Sequence, residues 1–193
     1  MKKVFFILII FHLITLRLNA QNSAPTNLEV TGKIFDKIAI MVSEKLTSDF
    51  NLYNTAFPEE LLYLQYELEG KINKINQNFQ NSATASLVII IDEGGVRYPT
   101  SFRDGFFGDI SVERKVFYTG KIIDKSREIF EEFSVSQIDT IKYSEIEKVE
   151  NSFYTFLNSS KPGIPFFSHI LEPVILIGTA VASVILFFTV RSN

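Results

Sequence analysis

The chain has 193 residues, with 22 acidic and 19 basic side chains and a formal net charge of −3 at pH 7. The acidic balance and the scattered basic residues argue against nucleic-acid binding, because nucleic-acid-binding proteins present clustered Lys and Arg to the phosphates. The sequence has no cysteine and only two histidines, His12 and His169, near its ends, so we expect no catalytic nucleophile–histidine system and no zinc site. Asp92 and Glu93 could bind a hard cation, but the glycines after them favour a plain turn, so we expect no metal and no cofactor.

The N-terminus is typical of an export signal. Lys2 and Lys3 precede an apolar stretch over residues 4–16, and Ala20 provides a small residue at a cleavage position. This stretch is too short for a membrane-spanning helix, which takes about 20 residues. We interpret residues 1–20 as a signal peptide, with a retained N-terminal anchor as the alternative.

Two amphipathic helices are predicted next. Thr26 and Glu29 have the spacing of a capping box, and apolar residues then recur at helical intervals, which predicts a helix over about 27–48. A short strand is predicted at 50–55, and Pro58 then starts a second helix with a heptad-like apolar seam. The seam indicates packing inside the domain or a coiled coil with a second copy, and a strand is the alternative for its first half. Its residues are Leu61, Leu64, Leu68, Ile72, Ile75 and Phe79.

Strands dominate the middle of the sequence. A compact apolar run at 87–91 indicates a buried strand, and the acidic and glycine residues of 92–95 indicate a turn after it. Alternating apolar and polar residues predict strands over 110–123 and 128–137, which we expect to pair as an antiparallel hairpin. A second capping box at 144–147 opens a further helix.

These elements predict one exported, soluble α+β domain over residues 21–164. We expect an antiparallel sheet of three to five strands with two or three packed helices, which is an ordinary size for one hydrophobic core. No sequence repeat divides this region further.

The C-terminal segment indicates a membrane anchor. Residues 173–190 are 18 residues without a charge, followed by Arg191, and a helix of this length approaches the thickness of a bilayer core. We predict a juxtamembrane segment and one transmembrane helix over 165–193, with the lipid bilayer as its partner. Gly178 and Ala182 lie four residues apart and are candidates for helix–helix packing in the membrane. The expected location is the bacterial cytoplasmic (inner) membrane, single-pass, with the N-terminal domain periplasmic and the C-terminus cytoplasmic.

The stretch 94–108 carries the candidate binding residues. It combines glycines, which permit unusual backbone shapes, with aromatic and arginine side chains, which dominate binding hot spots. The alternative is that its aromatic residues fold back and seal the core. The candidate partner- or ligand-binding residues are Arg97, Tyr98, Phe102, Arg103, Asp104, Phe106 and Phe107.

Three functions follow as hypotheses. The first is a non-catalytic accessory or scaffold protein of a bacterial envelope complex, with an envelope protein partner or self-association. The second is a ligand-binding or sensing module with a pocket near residues 94–108. The third is a hydrolase that uses carboxylates, which would need two acids converging in a cleft with separated pKa values.

Overall fold

The computed structural model describes residues 23–46, 52–75, 77–103, 105, 108–164 and 166–191. The signal peptide predicted at 1–20 lies outside these residues, and the domain boundaries predicted around it stay predictions. Within the described residues the chain forms α-helices α1 (Asn27–Ser43), α2 (Gln65–Ile75), α3 (Ile146–Val149) and α4 (Phe166–Arg191). The strands are β1 (Leu52–Ala56), β2 (Gln80–Asn81), β3 (Leu87–Arg97), β4 (Ser101–Arg103), β5 (Ile110–Asp124) and β6 (Ile129–Lys142). Short 3₁₀ helices span Glu59–Leu64, Tyr143–Glu145 and Thr155–Leu157.

The six strands form one mixed sheet. The strand order is β2-β1-β3-β5-β4, and β6 also pairs with β5. β1 is parallel to β2 and β3, whereas β5 is antiparallel to β3, β4 and β6. The predicted antiparallel sheet of three to five strands is therefore wrong in strand number and in direction. Because α2 lies between β1 and its two neighbours in sequence, the chain returns to the sheet in the same direction.

The first helix forms where it was predicted and ends earlier. The Thr26 hydroxyl accepts a hydrogen bond from the Glu29 backbone N–H at 3.2 Å, and the Glu29 carboxylate accepts one from the Thr26 N–H at 2.7 Å. This capping box is confirmed. The apolar face of α1 is fully buried at Val30, Ile34 and Ile38, so burial against the sheet and α2 supplies most of the stability of the helix.

The predicted apolar seam is used inside the domain. Leu61 and Leu64 are buried in the 3₁₀ turn, and Leu68 and Ile72 are fully buried on α2. Ile75, at the last residue of α2, is 46% exposed. The first half of the seam is helical, so the alternative of a strand there is wrong.

The third strand is longer than predicted. β3 continues from Leu87 to Arg97 through a bulge between Ile91 and Glu93, so the turn expected at 92–95 is wrong. Gly94 pairs with Tyr118 of β5, and a Cβ at Gly94 would lie 2.1 Å from the Tyr118 ring. Glycine therefore permits this strand to approach an aromatic side chain, a role that sequence alone cannot distinguish from that of a turn.

The β5–β6 hairpin is confirmed and is longer than expected, reaching Lys142. The second capping box does not form. Tyr143–Glu145 is a 3₁₀ turn, α3 ends at Val149, and no side chain caps either of them. Phe153, four residues after the end of α3, is 88% exposed.

The C-terminal helix α4 spans Phe166–Arg191 and contains Pro173. Among the residues that the structure describes, no helix is both long enough and apolar enough to cross a membrane. The predicted transmembrane helix is therefore corrected, and the single-pass orientation based on it is not supported.

Candidate interaction surface

The two faces of the sheet have different surroundings. α1 and α2 pack on the face that carries Tyr118: the Phe35 ring lies 4.9 Å from the Tyr118 ring, and the Thr31 hydroxyl lies 3.2 Å from the Tyr118 hydroxyl. The opposite face carries the alternate residues of β3, β5 and β6. We call it the open face, since the contacts of Phe35 and Thr31 place α1 on the Tyr118 side, and the β1 side chains that bond to α2 lie on that side too. Every second residue of β6 from Phe130 to Thr140 is exposed there.

An aromatic residue and two cations meet on the open face. The register places Phe117 between Gly95 of β3 and Ser136 of β6. The Arg97 guanidinium lies 4.5 Å from the centre of the Phe117 ring, and the Lys115 ammonium lies 5.9 Å from it. Because the strand neighbours of Phe117 are small, the two cationic side chains can fold over the ring.

The next row of the sheet adds an exposed aliphatic side chain. Arg97, Lys115 and Ile138 lie side by side on β3, β5 and β6. Ile138 is 58% exposed, whereas the Phe117 beside this row is 9% exposed, with Arg97 and Lys115 over its ring. We call Arg97, Lys115, Phe117 and Ile138 the open-face cluster. Arginine and aromatic side chains beside exposed aliphatic area are typical of protein-binding hot spots.

Arg97 forms an exposed ion pair with Glu93. Its guanidinium bonds to the Glu93 carboxylate at 2.9 Å, and both side chains are more than half exposed. Such a surface ion pair contributes little to stability. A carboxylate of a binding partner can therefore replace Glu93 while Arg97 stays over the Phe117 ring.

The structure places the predicted site residues in different environments. Arg97 and Phe102 are exposed, and Arg103 is half-buried at the end of β4. Phe102 pairs with Ser111 of β5, so its side chain lies on the open face, along β5 from Lys115. Asp104, Phe106 and Phe107 lie outside the described residues. Gly178 and Ala182 lie on α4, where a Cβ at Gly178 would meet no described atom within 4 Å.

Tyr98 belongs to the core. It is 5% exposed, and its hydroxyl accepts a hydrogen bond from the Asn27 amide at 3.1 Å. Burial raises the pKa of Tyr98, and the bond from Asn27 opposes that rise. Asn27 also donates to the Leu157 carbonyl at 2.7 Å. Tyr98 therefore connects the end of β3 to the start of α1 and is not available on the surface.

Two clefts flank the start of α1, and residues 94–108 line neither of them. The larger cleft, of about 600 Å³, is lined by Pro25, Leu28, Glu29, Gly32, Lys33, Asp36, Glu67 and Lys71. The smaller cleft, of about 320 Å³, is lined by Ala24, Pro25, Ser111, Asp139, Thr140, Ile141, Lys142 and Glu145. The pocket expected near 94–108 does not coincide with either cleft.

Glu67 has a perturbed carboxyl in the larger cleft. Burial raises the pKa of Glu67, Lys71 lowers it, and Asp36 raises it further. Asp36 itself is bound to Lys71 at 2.9 Å. The described residues hold no group of three or more His, Cys, Asp or Glu side chains arranged for a metal ion.

Sequence reasoning did not select Phe117, Lys115 or Ile138. The sequence pattern of β5 does contain a signal for Phe117. Val116 and Tyr118 occupy the inward positions of the alternation, so Phe117 between them points outward. The residues that lie beside Phe117 are set by the strand register, which the sequence does not reveal.

Comparisons with known proteins give little further information. A scan against protein-family models found no match, and a search of curated proteins found none. Among solved structures, the chain is similar to a minor lipoprotein from Acinetobacter baumannii, with 14% sequence identity and a TM-score of 0.42. The alignment covers 57% of this chain and 81% of that chain. A similarity at this level carries no argument about what the chain does.

Proposed function

We propose that the chain is a non-catalytic accessory protein of the bacterial envelope that binds another protein through the open-face cluster. The observation that carries the proposal is the Arg97 guanidinium lying over the Phe117 ring on the exposed side of the sheet. The predicted signal peptide supports an envelope location, since it would direct the domain out of the cytosol.

The chemistry of the cluster suits a protein partner. Ile138 supplies the exposed apolar area, and Arg97 and Lys115 lie over the buried Phe117 ring and form a cationic surface beside it. A buried apolar centre with a polar border is the usual arrangement of a protein–protein interface. The strands fix the backbone positions of these residues, which lowers the entropic cost of binding.

The proposal is tested by measuring how much of the partner each charge-reversed variant recovers. We expect the Arg97→Glu/Lys115→Glu variant to recover the partner of the unmodified chain at least about tenfold less well, because a hot-spot contact of about 1.4 kcal/mol corresponds to a factor of ten. Lys37→Glu/Lys74→Glu is the matched control, since it makes the same charge change at exposed positions on α1 and α2.

The control should recover the partner at the unmodified level. Both variants should show unfolding midpoints close to that of the unmodified chain, because surface ion pairs contribute little. Equal recovery by the two variants would refute binding through the open-face cluster.

A further inference from the structure

β6 is a long edge strand. Its 14 residues pair with β5 in one continuous register from Ser111–Lys142 to Asp124–Ile129, without a bulge. Among the residues that the structure describes, no other strand pairs with β6. The outer edge therefore presents a regular row of backbone donors and acceptors.

Most of the usual protections of an edge strand are missing from β6, and its charges, Glu131, Glu132, Asp139 and Lys142, lie toward its two ends. Natural edges are short, bulged or interrupted by Pro, or they carry charges that prevent pairing. β6 is long and regular, it contains no Pro or Gly, and residues Phe133–Ile138 carry no charge. A regular edge of this length is suited to pairing with another strand.

We propose that the outer edge of β6 pairs with β6 of a second copy of this chain. The two strands run antiparallel about a two-fold axis perpendicular to the sheet, so that both copies keep α1 and α2 on the same face. The result is one continuous sheet across the dimer. The two open faces then also lie on one side, which presents two open-face clusters to a partner.

Charge complementarity sets the register of this pairing. A two-fold axis perpendicular to the sheet passes midway between the two copies of one β6 residue, and each residue then faces a residue of the same parity in the other copy. Centring on Gln137 places Glu132 opposite Lys142 of the second copy, twice by symmetry. Glu132 is exposed and forms no ion pair with a described residue. Centring on Val135 would instead place Glu131 opposite Asp139, which is repulsive.

The same register gives compatible neighbours at two further positions. Phe133 faces Ile141 on the helix-covered side, and Ser134 faces Thr140 on the open side. Apolar pairs and hydroxyl pairs directly opposite each other both stabilise antiparallel strands. Lys142 already contacts Asp109 at 2.8 Å within its own chain, so it can bridge the two carboxylates.

Single cysteines test the register, because the native chain contains none. At the two-fold axis, position 137 faces its own symmetry mate at about 4.5–5.5 Å between Cα atoms, which is within the range for a disulfide. We expect the purified full-length Gln137→Cys chain to form a disulfide-linked dimer under mild oxidation.

Two controls use the same strand. Ser134→Cys should cross-link at least about tenfold more slowly than Gln137→Cys, because its symmetry mate lies about 20 Å away along the strand. A mixture of Ser134→Cys and Thr140→Cys chains should cross-link to each other. If Gln137→Cys reacts no faster than Ser134→Cys, the pairing is wrong.

Charge reversal supplies a second, independent measurement. Glu132→Lys should weaken dimerisation of the full-length chain by about tenfold in light scattering or ultracentrifugation, since two attractive pairs become repulsive. The double variant Glu132→Lys/Lys142→Glu restores opposite charges and should regain the dimer. A monomeric unmodified chain at tens of micromolar would overturn the proposal, as would an unchanged dimer in the Glu132→Lys variant.

Discussion

The guanidinium of Arg114 is completely buried and bonds to both carboxylate oxygens of Asp139. The Nε–Oδ1 distance is 2.8 Å and the Nη2–Oδ2 distance is 2.5 Å. The two residues face each other across β5 and β6. Arg114 Nη1 also donates to the Pro25 carbonyl at 2.7 Å and to Asn27 at 2.9 Å. One side chain therefore connects the hairpin to the start of α1.

Removing the acid should destabilise the domain strongly. Asp139→Ala leaves a buried guanidinium without its counter-charge, and breaking a buried pair in this way typically costs about 3–5 kcal/mol. We expect a loss of that size in the free energy of unfolding, measured by urea denaturation with an unchanged m-value.

A double variant that removes both charges shows whether the loss of stability comes from the unpaired buried charge. Arg114→Met/Asp139→Leu removes both charges and should be more stable than Asp139→Ala, because no unpaired charge remains buried. A double variant less stable than Asp139→Ala would contradict the assignment of Arg114 and Asp139 as a coupled pair.

Two glycine substitutions should have opposite effects. A Cβ at Gly120 would lie 2.1 Å from the Ile90 carbonyl oxygen, so Gly120→Ala should cost about 1–3 kcal/mol. A Cβ at Gly70 would meet no described atom within 4 Å in the interior of α2, so Gly70→Ala should stabilise by about 0.5–1 kcal/mol. Thermal unfolding of both variants measures the difference, and equal midpoints would disprove the close approach of β5 to β3.

The buried tyrosines should ionise later than the exposed ones. Burial raises the pKa of Tyr53 to about 12 and raises the pKa of Tyr118 further. Because the folded state favours the neutral phenols, their contribution to stability is complete below pH 10 and is lost as the pH rises above it. Tyrosinate absorbance should therefore still be rising well above pH 10, and Tyr53→Phe should reduce this late rise. A single phase at the ordinary tyrosine pKa would contradict the burial.

The contribution of Glu67 to stability should depend on pH in the opposite direction to that of an ordinary paired carboxylate. Its pKa is raised, chiefly by burial, so the folded state binds the proton more tightly, and stability falls as the pH rises above about 4.5. We expect Glu67→Gln to be at least as stable as the unmodified chain at pH 7 and to lose this advantage near pH 4. Urea denaturation at the two pH values measures the difference. If Glu67→Gln were more stable than the unmodified chain only at pH 4, the raised pKa of Glu67 would be contradicted.

The elements predicted correctly from sequence are those with local signals. The Thr26–Glu29 capping box lies within four residues, and the alternation of β5 and β6 extends along each strand. The elements that were missed depend on distant residues. Gly94 faces Tyr118 at a separation of 24 residues, and its role as a strand glycine depends on that contact.

The candidate site was predicted only in part for the same reason. Arg97 was identified by its residue type, but its position over Phe117 follows from the pairing of β3 with β5. Tyr98 has the same residue character as a binding residue, and only the Asn27 contact shows that it is internal. Arg114 occupies an inward position of the β5 alternation, which signals a buried pair without naming Asp139.

Site-specific photo-cross-linking in intact cells tests the central claim most directly. A photoreactive phenylalanine at position 102, which is 44% exposed on the open face, should capture one other protein of defined mass. The same residue at position 37, exposed on α1, should not capture it, and Arg97→Glu/Lys115→Glu should abolish the product. Equal capture from both positions, or capture unaffected by the charge reversal, would contradict a partner bound at the open face.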